Sequence, residues 1–370
     1  MASFKDNLLI GICEKLQLPQ SKYTLAEERY KTISDMIHTD TVFQKINLKM
    51  YPHGSFRLKT TVKPLSDNEY DLDFVVELPN EVNMTPKELY THIYRILSKD
   101  NIHNNMVEKK RRCIRIKYAN DFHMDIMPGK LIDHATNEII VPDRELKSWY
   151  HHSNPIGYAD WFENQAKTAI RGELNQQRIA KASAEPITEQ EIVTRLEPLR
   201  RAVQLVKRYR DIYCDKHNTE PVRSIVLCTL MGYISSSYSS EMDIIQDYCS
   251  YVNGRIASFY GEPFEVRNPV VNEVLTEKWT ENKNYYNDFV KMMRALTEYM
   301  QKLRMTSLNT DIVALVKEMF GENLTNDVIK DQSDHINFAR ANGTLGVTAD
   351  GVLNTTMTVS TVKKNTFYGE

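Results

Sequence analysis

The sequence predicts an α+β protein of two lobes. A mixed α/β lobe with N-terminal helices spans residues 1–158, a helical lobe 159–330, and a tail 331–370. Three observations predict this. Short segments that alternate apolar and polar residues cluster in the first part of the chain, as strands do. After Tyr158 the apolar residues recur at helical spacing instead. The chain, at 370 residues, is long enough to pack two lobes around substantial cores.

Residues 4–18 place Leu8, Leu9, Ile12 and Leu16 on one helical face. A second helix is expected after Thr24, with Ala26, Tyr30, Ile33, Ile37 and Phe43 as its stripe. Gly54-Ser55 is a turn between an apolar run and a short helical start. Tyr70 to Leu78 is a strand: Leu72 and Phe74 face one way, Asp71 and Asp73 the other. Thr85 caps a helix with Pro86 in its first turn and Glu88 closing a capping box. Cys113–Tyr118 and Phe122–Met127 form a hairpin about Asn120-Asp121. Phe122, Met124 and Ile126 share one face there, and Asp125 projects from the other. Helices are then expected from Ala159 to about Ala184, after a capping box at Thr188, and over Leu199–Tyr213 and Ile225–Ile234. Tyr285–Arg304 and Asp311–Phe320 follow, with Gly321 as a C-cap. The tail carries weak alternation around Thr344–Leu353 and Met357–Val362.

Composition sets limits on function. A net charge of −2 supplies no strong field for nucleic acid or a membrane surface. The five cysteines are scattered, without a CxxC pair, which fits a reducing cytoplasm and neither a disulfide framework nor a zinc ribbon. No long apolar run or signal-peptide pattern is present, so a cytoplasmic location is expected. Among ten histidines, His151-His152 is an isolated pair expected to be structural or solvated. The block Lys109-Lys110-Arg111-Arg112 is expected to be a solvated strand entry, because four charges neutralise few phosphates. Met292, Met293 and Leu296 are expected to be core.

The chemistry lies in Asp71, Asp73 and Asp125. Two carboxylates on one strand face repel each other, which a core does not select and a divalent cation does. A lone Asp-x-Asp is common on surface strands, Gly-Ser is usually a turn, and Asp125 alone fits a solvated hairpin. Their order and phase together point to a site holding two Mg²⁺ ions, or Mn²⁺, for in-line attack of a hydroxyl on an α-phosphate. Gly54 and Ser55 then hold phosphate oxygens.

YPHGSFRLKTTVKP, NEYDLDFVVEL and FHMDIMPG, with IVPDRELKSWYHHSNPIGYADWF, LRRAVQLVKRYRDIY and PVRSIVLCTL, together resemble the bacterial cGAS/DncV-like nucleotidyltransferases. These enzymes make cyclic oligonucleotide second messengers in CBASS anti-phage defence. The resemblance covers most of the chain. It implies a polymerase-β-like fold with the active site between the lobes, and a metal triad of Asp71, Asp73 and Asp125. It further implies a phosphate turn at Gly54 and Ser55, and a triphosphate clamp of Lys207 and Ser224. Its substrates are nucleoside triphosphates, with ATP expected and the second base open. Its product is a cyclic di- or trinucleotide, and some members have an activating partner protein. Membrane, stable zinc and nucleic-acid partners are not expected. An aromatic residue follows the equivalent serine in the animal sensor of the superfamily, but Ile225 stands here, so Tyr51, Tyr70 and Tyr158 are the candidates for base stacking. Two alternatives are a polymerase-β-like transferase acting on RNA ends or on protein, and a catalytically inactive nucleotide-binding scaffold. Three mutually repelling acids argue against the scaffold.

Overall fold

The computed structural model describes residues 3–65, 70–99, 106–118, 122–168, 193, 196–234, 238, 240–347 and 353–354. The expected turn at Asn120-Asp121, the helix beyond Thr168, the Thr188 capping box and the alternation at Met357–Val362 lie outside these residues.

The chain opens with α1 (Phe4–Leu16) and α2 (Gln20–His38). Ser3 caps α1 through a reciprocal box with Asp6. The second helix starts at Gln20 rather than after Thr24, and Phe43 lies beyond its end, although still buried in the same core. Then come β1 (Lys49–His53), the single-turn α3 (Gly54–Arg57), β2 (Tyr70–Leu78) and α4 (Pro86–Ser98). The last of these has the Thr85–Glu88 capping box.

Five strands follow: β3 (Val107–Lys109), β4 (Ile114–Tyr118), β5 (Phe122–Asp133), β6 (Glu138–Pro142) and β7 (Tyr150–Ser153). The sheet runs β1-β2-β5-β4-β3, and β6 and β7 extend it from the far half of β5. Only β2 and β5 pair in parallel among these strands, so the sheet is mixed. Leu72, Phe74, Met124 and Ile126 are fully buried, and with α2 and α4 they form one core. Strand alternation therefore turns Asp71, Asp73 and Asp125 to the opposite face.

The helical part comprises α5 (Pro155–Thr168), α6 (Pro198–His217), α7 (Ser224–Tyr233), α8 (Glu241–Ser258) and α9 (Glu277–Glu281), then α10 (Lys283–Met305), α11 (Asn309–Phe320) and α12 (Glu322–Ala341). Gly321 ends α11 with φ +102°, as its expected cap role requires. No helix was expected beyond Phe320, yet α12 runs past residue 331, where the sequence suggests a tail. A short hairpin of β8 (Gly346–Val347) and β9 (Leu353–Asn354) follows. Met292, Met293 and Leu296 are buried as expected.

The helical core also takes in Leu8, Leu9, Ile12 and Leu16 of α1 and Phe162 of α5. Gly11 is where α1 meets α12: a Cβ there would stand 2.5 Å from Val328 Cγ1. No described helix is long and apolar enough to cross a membrane.

One helix ties the helical core to the loop after α3. Thirteen residues of α6 are buried, several of them charged. Its polar face runs along the loop after α3. Arg200 donates to Leu58 O, Gln204 Nε2 to Thr61 O at 2.9 Å, Lys207 Nζ to Thr60 O at 2.8 Å, and Arg208 Nη1 to Lys63 O at 3.4 Å. The helical repeat brings these four side chains to one face, so every buried carbonyl they reach has a donor.

The basic block at Lys109–Arg112 is solvated along Lys109, Lys110 and Arg111, as expected, but it also holds a buried acid. Arg111 and Arg112 both grip Asp143, each with an N–H to carboxylate distance of 2.8 Å, and Asp143 is fully buried. The pairing holds that carboxyl down at about 2. Burial of an unpaired charge is expensive, so these arginines are the condition for burying Asp143.

Candidate active site

The sheet register places the acids. Asp73 on β2 lies opposite Asp125 on the parallel strand β5, and Asp71 lies opposite His123. Oxygens of Asp71, Asp73 and Asp125 come within 4.8 Å of one another. Asp71 reaches into the open with 58% of its side chain exposed, whereas Asp125 keeps 11%.

Burial is the main force raising the Asp73 carboxyl well above its ordinary value, and the charges of Asp71 and Asp125 add to it. Asp71 is raised for the same two reasons, with Asp125 as the charge; its exposure tempers the first. Among the described residues the Asp73 carboxylate makes no hydrogen bond or ion pair, while its backbone sits between β1 and β5 in the sheet. Three carboxylates beside one guanidinium, that of Arg115, have the donor set of a hard divalent cation. The residues therefore fit Mg²⁺ or Mn²⁺.

Gly54 is required here for two reasons. Its φ is +60°, and a Cβ would stand 2.3 Å from Asp73 Oδ2. Before it, His53 lies opposite Asp73 on β1, and burial lowers that imidazole to about 4. Gly54 and Ser55 line a cleft of about 680 Å³ together with Asp71 and Asp73.

The helical lobe forms the other wall. Lys207 is 5% exposed, and burial lowers its ammonium to about 8. Ser224 occupies the first turn of α7, and its Oγ accepts from Arg210 Nη1 at 3.0 Å. The structure thus brings Gly54, Ser55, Asp71, Asp73, Lys207 and Ser224 to one cleft, with Asp125 beside them in the sheet. Of the three stacking candidates, Tyr158 lines the cleft. Tyr51 is buried with its hydroxyl on Glu77 Oε2 at 2.8 Å, and Tyr70 is buried in the core of the sheet; neither lines the cleft.

Several residues of the site were not singled out from sequence. Arg57, Arg210 and Arg223 also line the cleft, Arg210 paired with Asp211 and Arg223 with Glu277. Arg115 lies directly opposite Asp125 across β4 and β5. The expected turn at Asn120-Asp121 would pair position 115 with 126; the observed register, Tyr118 opposite Phe122, puts Arg115 on Asp125 instead. At the outer rim Glu273 accepts from His151 Nε2 at 2.9 Å and Asn268 Nδ2 at 3.0 Å, so His151 is a structural bridge between β7 and the helical lobe.

The chain is similar to known proteins in sequence and in fold. Residues 5–166 match the Second Messenger Oligonucleotide or Dinucleotide Synthetase domain. The whole chain is similar to a c-di-GMP synthase of Roseivirga ehrenbergii: 29% identical, over 99% of this chain and 97% of that protein. It is 22% identical to the cyclic dinucleotide synthase CdnG of Bradyrhizobium diazoefficiens, over 88% of this chain and 82% of that protein. The structure of the Bradyrhizobium diazoefficiens CdnG with GTP superposes with a TM-score of 0.72 at 20% identity, covering 90% of this chain and all of that one. The fold is the polymerase-β-like fold of those proteins.

Proposed function

We propose that this chain, which is a nucleotidyltransferase of the bacterial cGAS/DncV-like family, joins two ribonucleoside triphosphates into a cyclic dinucleotide used as a second messenger in anti-phage defence. The observation that carries this reading is the group of three carboxylates within 4.8 Å of one another, beside a cleft that Lys207, Arg210 and Ser224 also line. GTP is the preferred first substrate, in place of ATP, because the relative that spans 99% of this chain is named for c-di-GMP.

Asp71, Asp73 and Asp125 hold the divalent ions, which when bound acidify the attacking hydroxyl and offset charge on the triphosphate. Gly54 and Ser55 seat phosphate oxygens beside Asp73. Across the cleft Lys207 and Ser224 hold the donor triphosphate, with Arg210 fixing the Ser224 hydroxyl. Those contacts set the α-phosphorus in line with the acceptor hydroxyl, and most of the catalytic advantage comes from this positioning. After the first bond, the linear intermediate rebinds with its ends exchanged and the same groups close the ring.

Incubation with Mg²⁺ and all four ribonucleoside triphosphates, then phosphatase and mass spectrometry, is expected to give a phosphatase-resistant cyclic dinucleotide that contains guanine. Products that are only linear, or only extended RNA ends, would overturn the reading.

Lys207 gives a second test. Its ammonium is charged below about 8 and neutral above it. Affinity for a non-hydrolysable triphosphate, measured with Ca²⁺ present, is expected to fall as pH rises through that value. Lys207→Arg should flatten the profile, because a guanidinium stays charged throughout. A flat wild-type profile would remove Lys207 from the clamp.

A further inference from the structure

The acid row does not end at Asp125. Across the sheet the register runs His53, Asp73, Asp125, Arg115, one residue on each of four neighbouring strands. Arg115 Nε donates to Asp125 Oδ1 at 2.7 Å, and its Nη2 donates to Asp125 Oδ2 at 2.7 Å. The same Nη2 reaches Asp71 Oδ1 at 3.3 Å. One guanidinium therefore engages both oxygens of one expected metal ligand and one oxygen of another. Such forked, charge-assisted pairs are among the stronger hydrogen bonds in proteins.

We propose that Arg115 is a resident counter-ion of the triad, which a divalent cation must displace from Asp71 and in part from Asp125. This rests on the reading of the triad as a metal site. The fork uses both carboxylate oxygens of Asp125, and an incoming cation needs at least one of them while standing beside a fixed positive charge. The other nearby cation, Lys207, makes no hydrogen bond to the triad: its Nζ donates to Thr60 O at 2.8 Å, and its charge acts on Asp71 and Asp73 less than that of Arg115 does. The side chain of Arg115 is 21% exposed, which leaves the guanidinium a way out toward solvent. Arg115 thus lowers the repulsion among the acids in the metal-free protein and raises the metal concentration needed to load it.

The test needs no nucleotide. Mn²⁺ binding is measured by calorimetry on the wild type, Arg115→Met, Arg115→Lys and Asp73→Asn, with thermal melting of each in EDTA and in Mn²⁺. Arg115→Met is expected to melt lower than wild type in EDTA and to bind Mn²⁺ on the order of tenfold more tightly, because the charge-assisted bonds no longer compete. Arg115→Lys keeps the charge and loses the fork, so it should fall between the two, and it carries the comparison if Arg115→Met does not fold without metal. Equal or weaker Mn²⁺ binding by these variants overturns the proposal and makes Arg115 a positioning residue that orients Asp125. Failure of wild type and Arg115→Met alike to bind Mn²⁺ would instead remove the metal assignment, and the proposal with it. Loss of binding in Asp73→Asn alone leaves that assignment standing.

Discussion

Asp73→Asn is expected to lower nucleotidyl transfer by roughly a thousandfold or more, since losing several kcal/mol of metal-dependent stabilisation costs a decade of rate for about each 1.36 kcal/mol. Its effect on the fold should have the opposite sign. The Asp73 carboxyl is raised by burial first and by Asp71 and Asp125 second. A carboxyl raised in the folded state costs stability once it ionises, over the range from its unfolded value up to its folded one. Asparagine has nearly the same shape and no charge to bury. With two like charges within 4.8 Å, relief is worth about 1 to 3 kcal/mol at the effective dielectric of such a site. The variant should therefore melt at or above the wild-type temperature in EDTA, and Mn²⁺ should no longer raise it. Wild-type turnover, or a variant that melts well below wild type in EDTA, would contradict this account of Asp73.

The second large effect is expected at Gly54. Alanine there meets Asp73 Oδ2 at 2.3 Å and must also adopt a φ of +60°. The backbone part costs about 1 to 2 kcal/mol of stability. The clash moves a metal ligand, and a displacement near 1 Å at a reacting centre costs about a hundredfold in rate. Gly54→Ala should then fold, melt a little lower and lose about two decades of kcat/KM with weaker Mn²⁺ binding. Near-normal kinetics would show that Asp73 has room the structure does not give it.

What was legible in the sequence follows from what each residue's role depends on. Asp71, Asp73 and Asp125 could be placed on one face because strand alternation is local, and their phase needs no knowledge of neighbours. The Thr85 cap and the Gly321 stop are local in the same way. Arg115 was missed because its partner is set by register across a hairpin. Arg210 and Arg223 were missed because a basic residue beside an apolar stripe is usually solvated, and only the opposing lobe makes them line a cleft. The pairing made by Arg111 and Arg112 was missed for a related reason. Their partner, Asp143, lies more than thirty positions away, and nothing local marks it as buried. The helix α12 escaped because only Leu324, Thr325, Val328 and Ala339 of its residues are buried; its pattern is too polar to announce a core face.

The packing of α1 has a consequence for how the protein is made. Its partners in space include α12, and the contact is specific: Lys15 pairs with Asp331, Gln332 Nε2 donates to Asn7 O across 325 positions at 3.3 Å, and Gly11 admits Val328. During synthesis α1 leaves the ribosome long before α12 exists. The sheet lobe lies between them in sequence and can close around α2 and α4 in the meantime; α1 can meet α6 and α8 as they emerge, but its contacts with α12 must wait. At synthesis rates of about 5 to 20 residues per second that wait lasts some tens of seconds. The face of α1 that meets α12 is thus covered last, after the acids and the residues of α6 and α7 that line the cleft have all been made.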